Sequence, residues 1–335
     1  EKTRSCLSPR VVGKAGKGAV RVANGHTQGR GGGDHAECQG VDADYKGSTL
    51  RSVWTLVNAV GWVPILGTVA LSCALLIPFL GLARAQKLVW RVSTIYFRVV
   101  LWATGISYTV IGLENLEPLG NYFFVCNHES IYDIPIAFAA LPFWLIAIAK
   151  SAIAYFPLFG WAVALGGTIF ISRSNHKRAV ESLDAGKESL LAKPRSVLLF
   201  PEGTRSDDGV VRPFKKGGLV LALQAGMDCV PVAICGTRRI VGRAVDKFEP
   251  IVACRVKVIV GKPISTTHMS FEDRDQLADR LHQEVVRMKN KWEDGVGNLG
   301  DVASPESFGN CFRSLPPSDK PWYGRMFGQF GKMFA

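Results

Sequence analysis

The residues best suited to chemistry lie in the stretch FVCNHESIYDIP, Phe124 to Pro135. An apolar run ends at Cys126 and gives way to Asn127 and His128, with Asp133 five residues past the histidine. An imidazole titrates near neutrality, which suits it to remove a proton as a general base. A carboxylate on its other nitrogen would fix the tautomer and stabilise the imidazolium. On one helix, residues five apart point roughly 140° apart, from 3.6 residues per turn. The two side chains therefore meet only if His128 lies in the turn before a helix and Asp133 in its first turn. Pro135 fits that placement, because proline is favoured in the first helical turn. A plainer reading stands beside it: Ser130 and Asp133 have the spacing of a capping box, in which the carboxylate only closes a helix start.

Three more polar sites follow strand-like runs, and in α/β sheets ligands gather at the carboxyl ends of strands. GGTIFISR ends on Arg173, and His176, Lys177 and Arg178 follow. That cationic cluster suits an anionic ligand, although a lone arginine at a strand end is usually just solvated. LLFPEGTRSDDGVVRPFKKG, 198–217, runs from an apolar strand into Glu202, Gly203, Thr204 and Arg205. Gly203 lets backbone approach a ligand closely. Thr204 offers a hydroxyl, and Arg205 a planar fork matched to phosphate oxygens. Lys215, Lys216 and two glycines lead into the next helix, whose N-terminal N–H groups favour an anion. The alternative for this loop is a surface turn with ordinary charges. In CVPVAI, Pro231 sits inside an apolar strand, which implies an edge, a bulge or a strand end beside the site.

The elements that must position these residues are an alternation of strands and helices from about residue 106 onward. Apolar runs at 121–126, 143–149, 168–172, 196–200, 229–235 and 254–260 read as strands. Helical stretches are expected at 176–192, 217–226 and 271–292. This pattern predicts an α/β sheet with helices on its faces. Residues 1–50, rich in Gly, Lys and Arg, show no hydrophobic period and read as a disordered head. The tail from 294 reads as loop or disorder.

Residues 53–83 contain no charged side chain. A soluble helix would show a polar face there, and about 20 apolar residues cross a bilayer. As one helix the run would be roughly 46 Å long at about 1.5 Å per residue. Gly61, Pro64 and Pro78 offer breaks. The expectation is one span over about 65–83, or a bent pair of helices in one leaflet, within a membrane-anchoring region 51–105. Arg84, Lys87, Arg91 and Arg98, interleaved with Trp90, Tyr96 and Phe97, read as interfacial residues. Basic residues flank both ends, so the orientation rule decides little.

The chain has 335 residues, 40 Lys and Arg against 28 Asp and Glu, and a net charge of +12, a balance that favours an anionic partner. Its eight cysteines show no CxxC spacing and no zinc-like Cys/His cluster, so they read as buried free thiols in a reducing compartment. The chain begins at Glu1 rather than Met, which reads as a trimmed chain or a fragment. No GxGxxG before a helix, GxxxxGK[ST], GxSxG or HExxH occurs, so nucleotide binding, serine hydrolysis and zinc proteolysis lose support. With no protein nucleophile beside the histidine and aspartate, the nucleophile is expected from the substrate.

The four motifs together resemble the glycerolipid acyltransferase family, and within it the 1-acylglycerol-3-phosphate acyltransferases. Asn127, His128 and Asp133 match NHx4D. Gly167, Phe170, Ile171 and Arg173 match GxxFIxR. Phe200 to Ser206 match FPEGTRS without a gap, and Val230, Pro231 and Val232 match the short proline-bearing apolar motif. The resemblance covers about 106–265 and the apolar N-terminal region. It implies a catalytic domain over 106–293 with a mixed, mostly parallel sheet flanked by helices. It implies that His128, oriented by Asp133, takes the proton from the acceptor hydroxyl, which attacks the thioester of acyl-CoA or an acyl-carrier protein. Glu202, Gly203, Thr204 and Arg205 would hold the acceptor, with Arg173 and the weaker candidate Lys150 at its phosphate. Asn127, Phe170 and Pro231 would serve the acyl pocket or the framework. No metal or redox cofactor is implied. The expected setting is a membrane, bacterial inner membrane or endomembrane, with the catalytic domain facing the cytoplasm. Alternatives are an acyltransferase for glycerol-3-phosphate or another lysophospholipid, a non-catalytic lipid-binding protein, and, least favoured, a nucleic-acid binder.

Overall fold

The structure is a computed structural model that describes residues 53–54, 57, 67–172, 176–206, 208–240 and 255–295. The expected head, 1–50, and the tail from 296 lie outside the described residues. Helix α1 (Leu82–Ala103) leads into strand β1 (Ser107–Ile111) and then β2 (Phe123–Cys126). Next come α2 (Asp133–Ala140), β3 (Leu145–Lys150), α3 (Phe159–Leu165), β4 (Ile169–Ile171) and α4 (His176–Ala192). The remainder is β5 (Ser196–Leu199), α5 (Gly217–Ala225), β6 (Cys229–Cys235), β7 (Arg255–Val260) and α6 (Arg274–Gly295).

The seven strands form one sheet in the order β1-β7-β6-β2-β5-β3-β4. Every neighbouring pair is parallel except β6 and β7. The sheet is thus mixed and mostly parallel. The inner strands β2, β5 and β6 are buried along their whole length. They read as unbroken apolar runs because helices cover both faces and leave no side for water. Side chains alternate between the faces. Phe124, Leu198, Val230, Val232 and Ile234 join α2 and the partly buried aromatics of α1 in one core. Phe123, Val125, Val197, Leu199 and Ala233 join Leu219 of α5 and Leu277, Leu281 and Val285 of α6 in the other. Each fully buried side chain of this size contributes about 1.5–3 kcal/mol. Strand β1 is absent from the sequence-derived strands. It is short, carries Ser107 and Thr109, and is only partly buried at the sheet edge.

Pro231 stands opposite Val125 of β2, inside a central strand. Its carbonyl accepts the N–H of Gly261 at 2.8 Å. A residue's N–H and C=O point to the same side of a strand. The missing proline N–H therefore faces the point where 261–263 leave the β7 ladder. Cys73, Cys126, Cys229 and Cys235 are buried free thiols.

The apolar N-terminal run does not form the expected single span. Residues 67–72 are helical, Cys73–Leu76 tighten to a 3₁₀ turn, and Ile77–Leu80 add one α-turn. The chain then breaks at Gly81 (φ 77°, ψ 158°) before α1 begins. Among the described residues, no helix is long and apolar enough to cross a membrane. The α1 aromatics expected at an interface are partly covered by protein. Trp90, Tyr96 and Phe97 pack against the core, with the Phe97 ring edge-on to Phe138 at 5.4 Å. Arg98 Nη2 donates to the Ala139 carbonyl at 3.2 Å, at the carboxyl end of α2 where carbonyls lack helical partners. Lys87 lies over the Trp144 ring. The stems of Arg98 and Lys87 thus run along protein surface, one cation reaching a carbonyl of α2 and the other the Trp144 ring.

Candidate active site

The site lies at the carboxyl ends of β2 and β5, adjacent strands at the centre of the sheet. Beyond Cys126 the chain makes a tight turn before α2, and Asp133 is the first residue of that helix. His128 Nδ1 lies 2.7 Å from Asp133 Oδ2. The same oxygen accepts the backbone N–H groups of Glu129 at 2.7 Å and Ser130 at 2.8 Å. Both readings of this stretch therefore hold in one group. The carboxylate binds the imidazole and also gathers the free N–H groups of the turn. The aspartate side chain is fully buried, and the histidine side chain is 17% exposed. An imidazole at that exposure is reachable from solvent at its rim, while its carboxylate partner is shielded from competing water.

The FPEGTRS loop holds His128 by its main chain. Glu202 Oε1 accepts the His128 N–H at 2.7 Å, and Ser206 donates its N–H to the His128 carbonyl at 2.8 Å. The Phe200 ring stacks on the imidazole with centroids 4.4 Å apart. Glu202 Oε2 accepts the Arg212 N–H at 3.0 Å, so both oxygens have backbone donors. Expected to hold the acceptor, Glu202 is instead buried and committed to the protein's own backbone. Burial pushes its carboxyl above the usual range, and the N–H groups of Arg212 and His128 oppose that rise. Gly203 has φ 73°, a left-handed conformation that reverses the chain after Glu202 and that side-chain-bearing residues adopt rarely. Thr204 and Arg205 follow it on the exposed side of the loop.

Asn127 is fully buried and exchanges two hydrogen bonds with the backbone of Ile234 in β6. Its Nδ2 donates to the carbonyl at 2.9 Å, and its Oδ1 accepts the N–H at 2.7 Å. It is a framework residue that ties the end of β2 to β6. Phe170 is partly buried on the edge strand β4, opposite Ala149. Lys150 ends β3 opposite Ile171 and is exposed. Arg173 lies outside the described residues. The structure thus brings His128, Asp133 and the Glu202–Arg205 loop together, while Phe170 and Lys150 belong to the β3–β4 edge.

Two residues absent from the sequence-derived set join the site. Glu129 Oε1 lies 2.7 Å from Lys289 Nζ of α6, both side chains only 4% exposed. Lys289 also donates to the Gly209 carbonyl, in the loop beyond Ser206. Sequence spacing carries no sign of a pair 160 positions apart. The only hint is a lysine among the apolar positions of α6, one residue after the buried Met288. Cys126, at the end of β2, has its thiol pushed well up by burial and by the Asp133 charge, so it offers no thiolate nucleophile.

Residues 107–235 match the Acyltransferase family model. The chain is 31% identical over 239 residues to a 1-acyl-sn-glycerol-3-phosphate acyltransferase of Saccharomyces cerevisiae, covering 71% of this chain and 76% of the relative. It is 30% identical over 208 residues to the 1-acyl-sn-glycerol-3-phosphate acyltransferase alpha of Mus musculus, covering 62% of this chain and 72% of the relative. A crystal structure of a 1-acyl-sn-glycerophosphate (LPA) acyltransferase from Thermotoga maritima superposes with a TM-score of 0.60 at 25% identity, over 76% of this chain and 97% of that one. The family match spans β1 to β6 and so includes the histidine turn, the FPEGTRS loop and the strands that present them. On that shared sequence and fold, the chain belongs to the glycerolipid acyltransferase family, in the group of the 1-acyl-sn-glycerol-3-phosphate acyltransferases.

Proposed function

We propose that the protein transfers a fatty acyl group from an acyl thioester, acyl-CoA or acyl-carrier protein, to the free hydroxyl of 1-acylglycerol-3-phosphate, giving phosphatidate. The observation that carries the mechanism is the 2.7 Å contact between His128 Nδ1 and Asp133 Oδ2. With Nδ1 engaged by the carboxylate, Nε2 is the nitrogen that takes the hydroxyl proton. The acceptor oxygen then attacks the thioester carbonyl. As the tetrahedral intermediate collapses, the C–S bond breaks and the imidazolium returns its proton to the departing sulfur. The ester and a free thiol leave, and His128 is neutral again. Asp133 stabilises the imidazolium between the two proton transfers. The scheme uses no metal or redox cofactor.

Thr204 and Arg205, on the exposed side of their loop, are the proposed contacts for the acceptor phosphate, with Lys150 from the β3–β4 edge and Arg173, which lies outside the described residues. A membrane setting agrees with the lipid substrates. It also agrees with exposed apolar side chains at Leu75, Phe79, Val99 and Trp102, and at Tyr155 and Phe156. Phosphatidate should form when the purified protein meets labelled acyl-CoA and 1-acylglycerol-3-phosphate. Glycerol-3-phosphate and larger lysophospholipids, offered as competitors, test the acceptor. His128→Ala should lose roughly 10²- to 10⁴-fold in rate, the usual worth of a general base. Undiminished turnover by that variant would end the mechanism.

A further inference from the structure

We infer that Lys289 is a positioning residue for the His128–Asp133 pair, acting from the carboxyl-terminal helix through Glu129. Its ammonium lies 2.7 Å from Glu129 Oε1 in a site almost closed to water. It also donates to the carbonyl of Gly209. Glu129 is the neighbour of His128, and its own N–H is one of the donors that fix Asp133 Oδ2. Asn127 Nδ2 donates to the same Glu129 oxygen at 3.2 Å. One cation thus joins the turn carrying the histidine to the loop that runs on from FPEGTRS. The helix braces that loop at two more points: His282 Nε2 lies 3.1 Å from the Val211 carbonyl oxygen, and its ring meets Phe214 edge-on.

A buried ion pair is weak evidence for stability, because desolvation offsets the attraction. Its effect here is on position and field. Among the described residues, the elements that meet at this turn bring to it the ionisable groups of Asp133 from α2, Glu202 from the loop after β5, Glu129 from the turn itself, the Cys126 thiol from β2 and Lys289 from α6. Lys289 compensates the Glu129 charge, while Asp133 and Glu202 are met by backbone N–H groups. Remove the ammonium, and Glu129 becomes an added negative charge that favours the imidazolium. Remove the carboxylate instead, and a buried cation disfavours it.

This inference rests on the proposed base role of His128. The test uses Lys289→Met, Glu129→Gln and the double variant in the full-length chain, read by kcat, acceptor KM, the acid limb of the kcat/KM–pH profile and thermal unfolding. Lys289→Met should move the acid limb to higher pH and Glu129→Gln to lower pH, a pair of opposite shifts that loosened packing does not give. The double variant should restore the parental limb. With the tie gone, its kcat should stay about tenfold below the parent at unchanged KM, within the range that small misplacements cost. Single variants that fold with an unmoved limb, or with limbs moved the same way, overturn the inference. If neither single variant folds, the double decides by kcat, and a parental value overturns it. His128→Ala separates the two levels. Activity in that variant ends the base reading itself, whereas an inactive His128→Ala beside silent Lys289 variants ends only this inference.

Discussion

Glu202 and His128 are joined carboxylate to backbone: Glu202 Oε1 accepts the His128 N–H at 2.7 Å. With Ser206 on the His128 carbonyl, both main-chain polar groups of the histidine are held by one loop. The FPEGTRS loop is therefore a frame for His128 as well as a candidate surface for the acceptor. In the proposed function, the loop that would bind the phosphate and the imidazole that would move the proton are fixed to each other and keep their separation when the substrate arrives.

Glu202→Gln keeps one acceptor oxygen where two backbone N–H groups, of His128 and Arg212, each need one. One N–H would face an amide NH₂ inside the fold. The expected loss is about 1–3 kcal/mol of unfolding free energy, the usual cost of an unsatisfied buried donor. Urea denaturation measures it. A fall in kcat should accompany it, because Glu202 ties the His128 turn to the loop that runs on to Arg212.

Asp133→Asn preserves shape and an oxygen for the N–H groups of Glu129 and Ser130, but removes the charge that stabilises an imidazolium. The fold should survive, with kcat reduced roughly 10²- to 10⁴-fold and the acceptor KM nearly unchanged. Steady-state kinetics on a variant with a parental circular-dichroism spectrum would show it. Parental kcat would reduce Asp133 to a helix-start residue.

Asn127→Ala removes both bonds to Ile234 and leaves that residue's N–H unpaired in the centre of the sheet. A stability loss of about 1–3 kcal/mol is expected, and hydrogen exchange at the Ile234 amide should quicken.

The Asp208 carboxyl is held below the usual range, first by the N–H of Val210, then by the Ser206 hydroxyl, with Arg212 adding to the effect. A carboxyl with a depressed folded value adds stability above its unfolded value of about 3.9, and loses it as pH falls through the folded value. Asp208→Asn should thus be less stable than the parent at neutral pH, and the gap should close in acid. Thermal melts of both proteins from pH 7 down to pH 2 trace it. A gap independent of pH would mean that the carboxylate charge plays no part.

The histidine site was legible because its chemistry is local. A spacing of five excludes a common helix face, and the structure resolves it as the sequence requires, with Asp133 opening α2 and His128 in the turn before. The strands β2, β5 and β6 were legible for a different reason: burial on both faces leaves an unbroken apolar run. Long-range ties left no such trace. Asn127 with Ile234 and Glu129 with Lys289 depend on which strand end meets which helix, and neither periodicity nor motif spacing encodes that. Glu202 stands among the acceptor contacts because the family resemblance implies it for the whole Glu202–Arg205 stretch, and a shared motif does not separate a residue that faces substrate from one that binds the protein's own backbone. The aromatic and basic residues of α1 looked interfacial because composition does not say whether α2 or a bilayer covers them.

The order of the sheet has a consequence for how the molecule is made. Among the described residues, strand β1, at residues 107–111, pairs only with β7, at 255–260, and the ion pair beneath the histidine awaits residue 289. A nascent chain emerging from the ribosome leaves β1 without its ladder partner until almost all of the catalytic region has been synthesised. Contacts of such sequence separation slow folding. The brace under the histidine turn is thus completed only once residue 289 has been made, long after the turn itself.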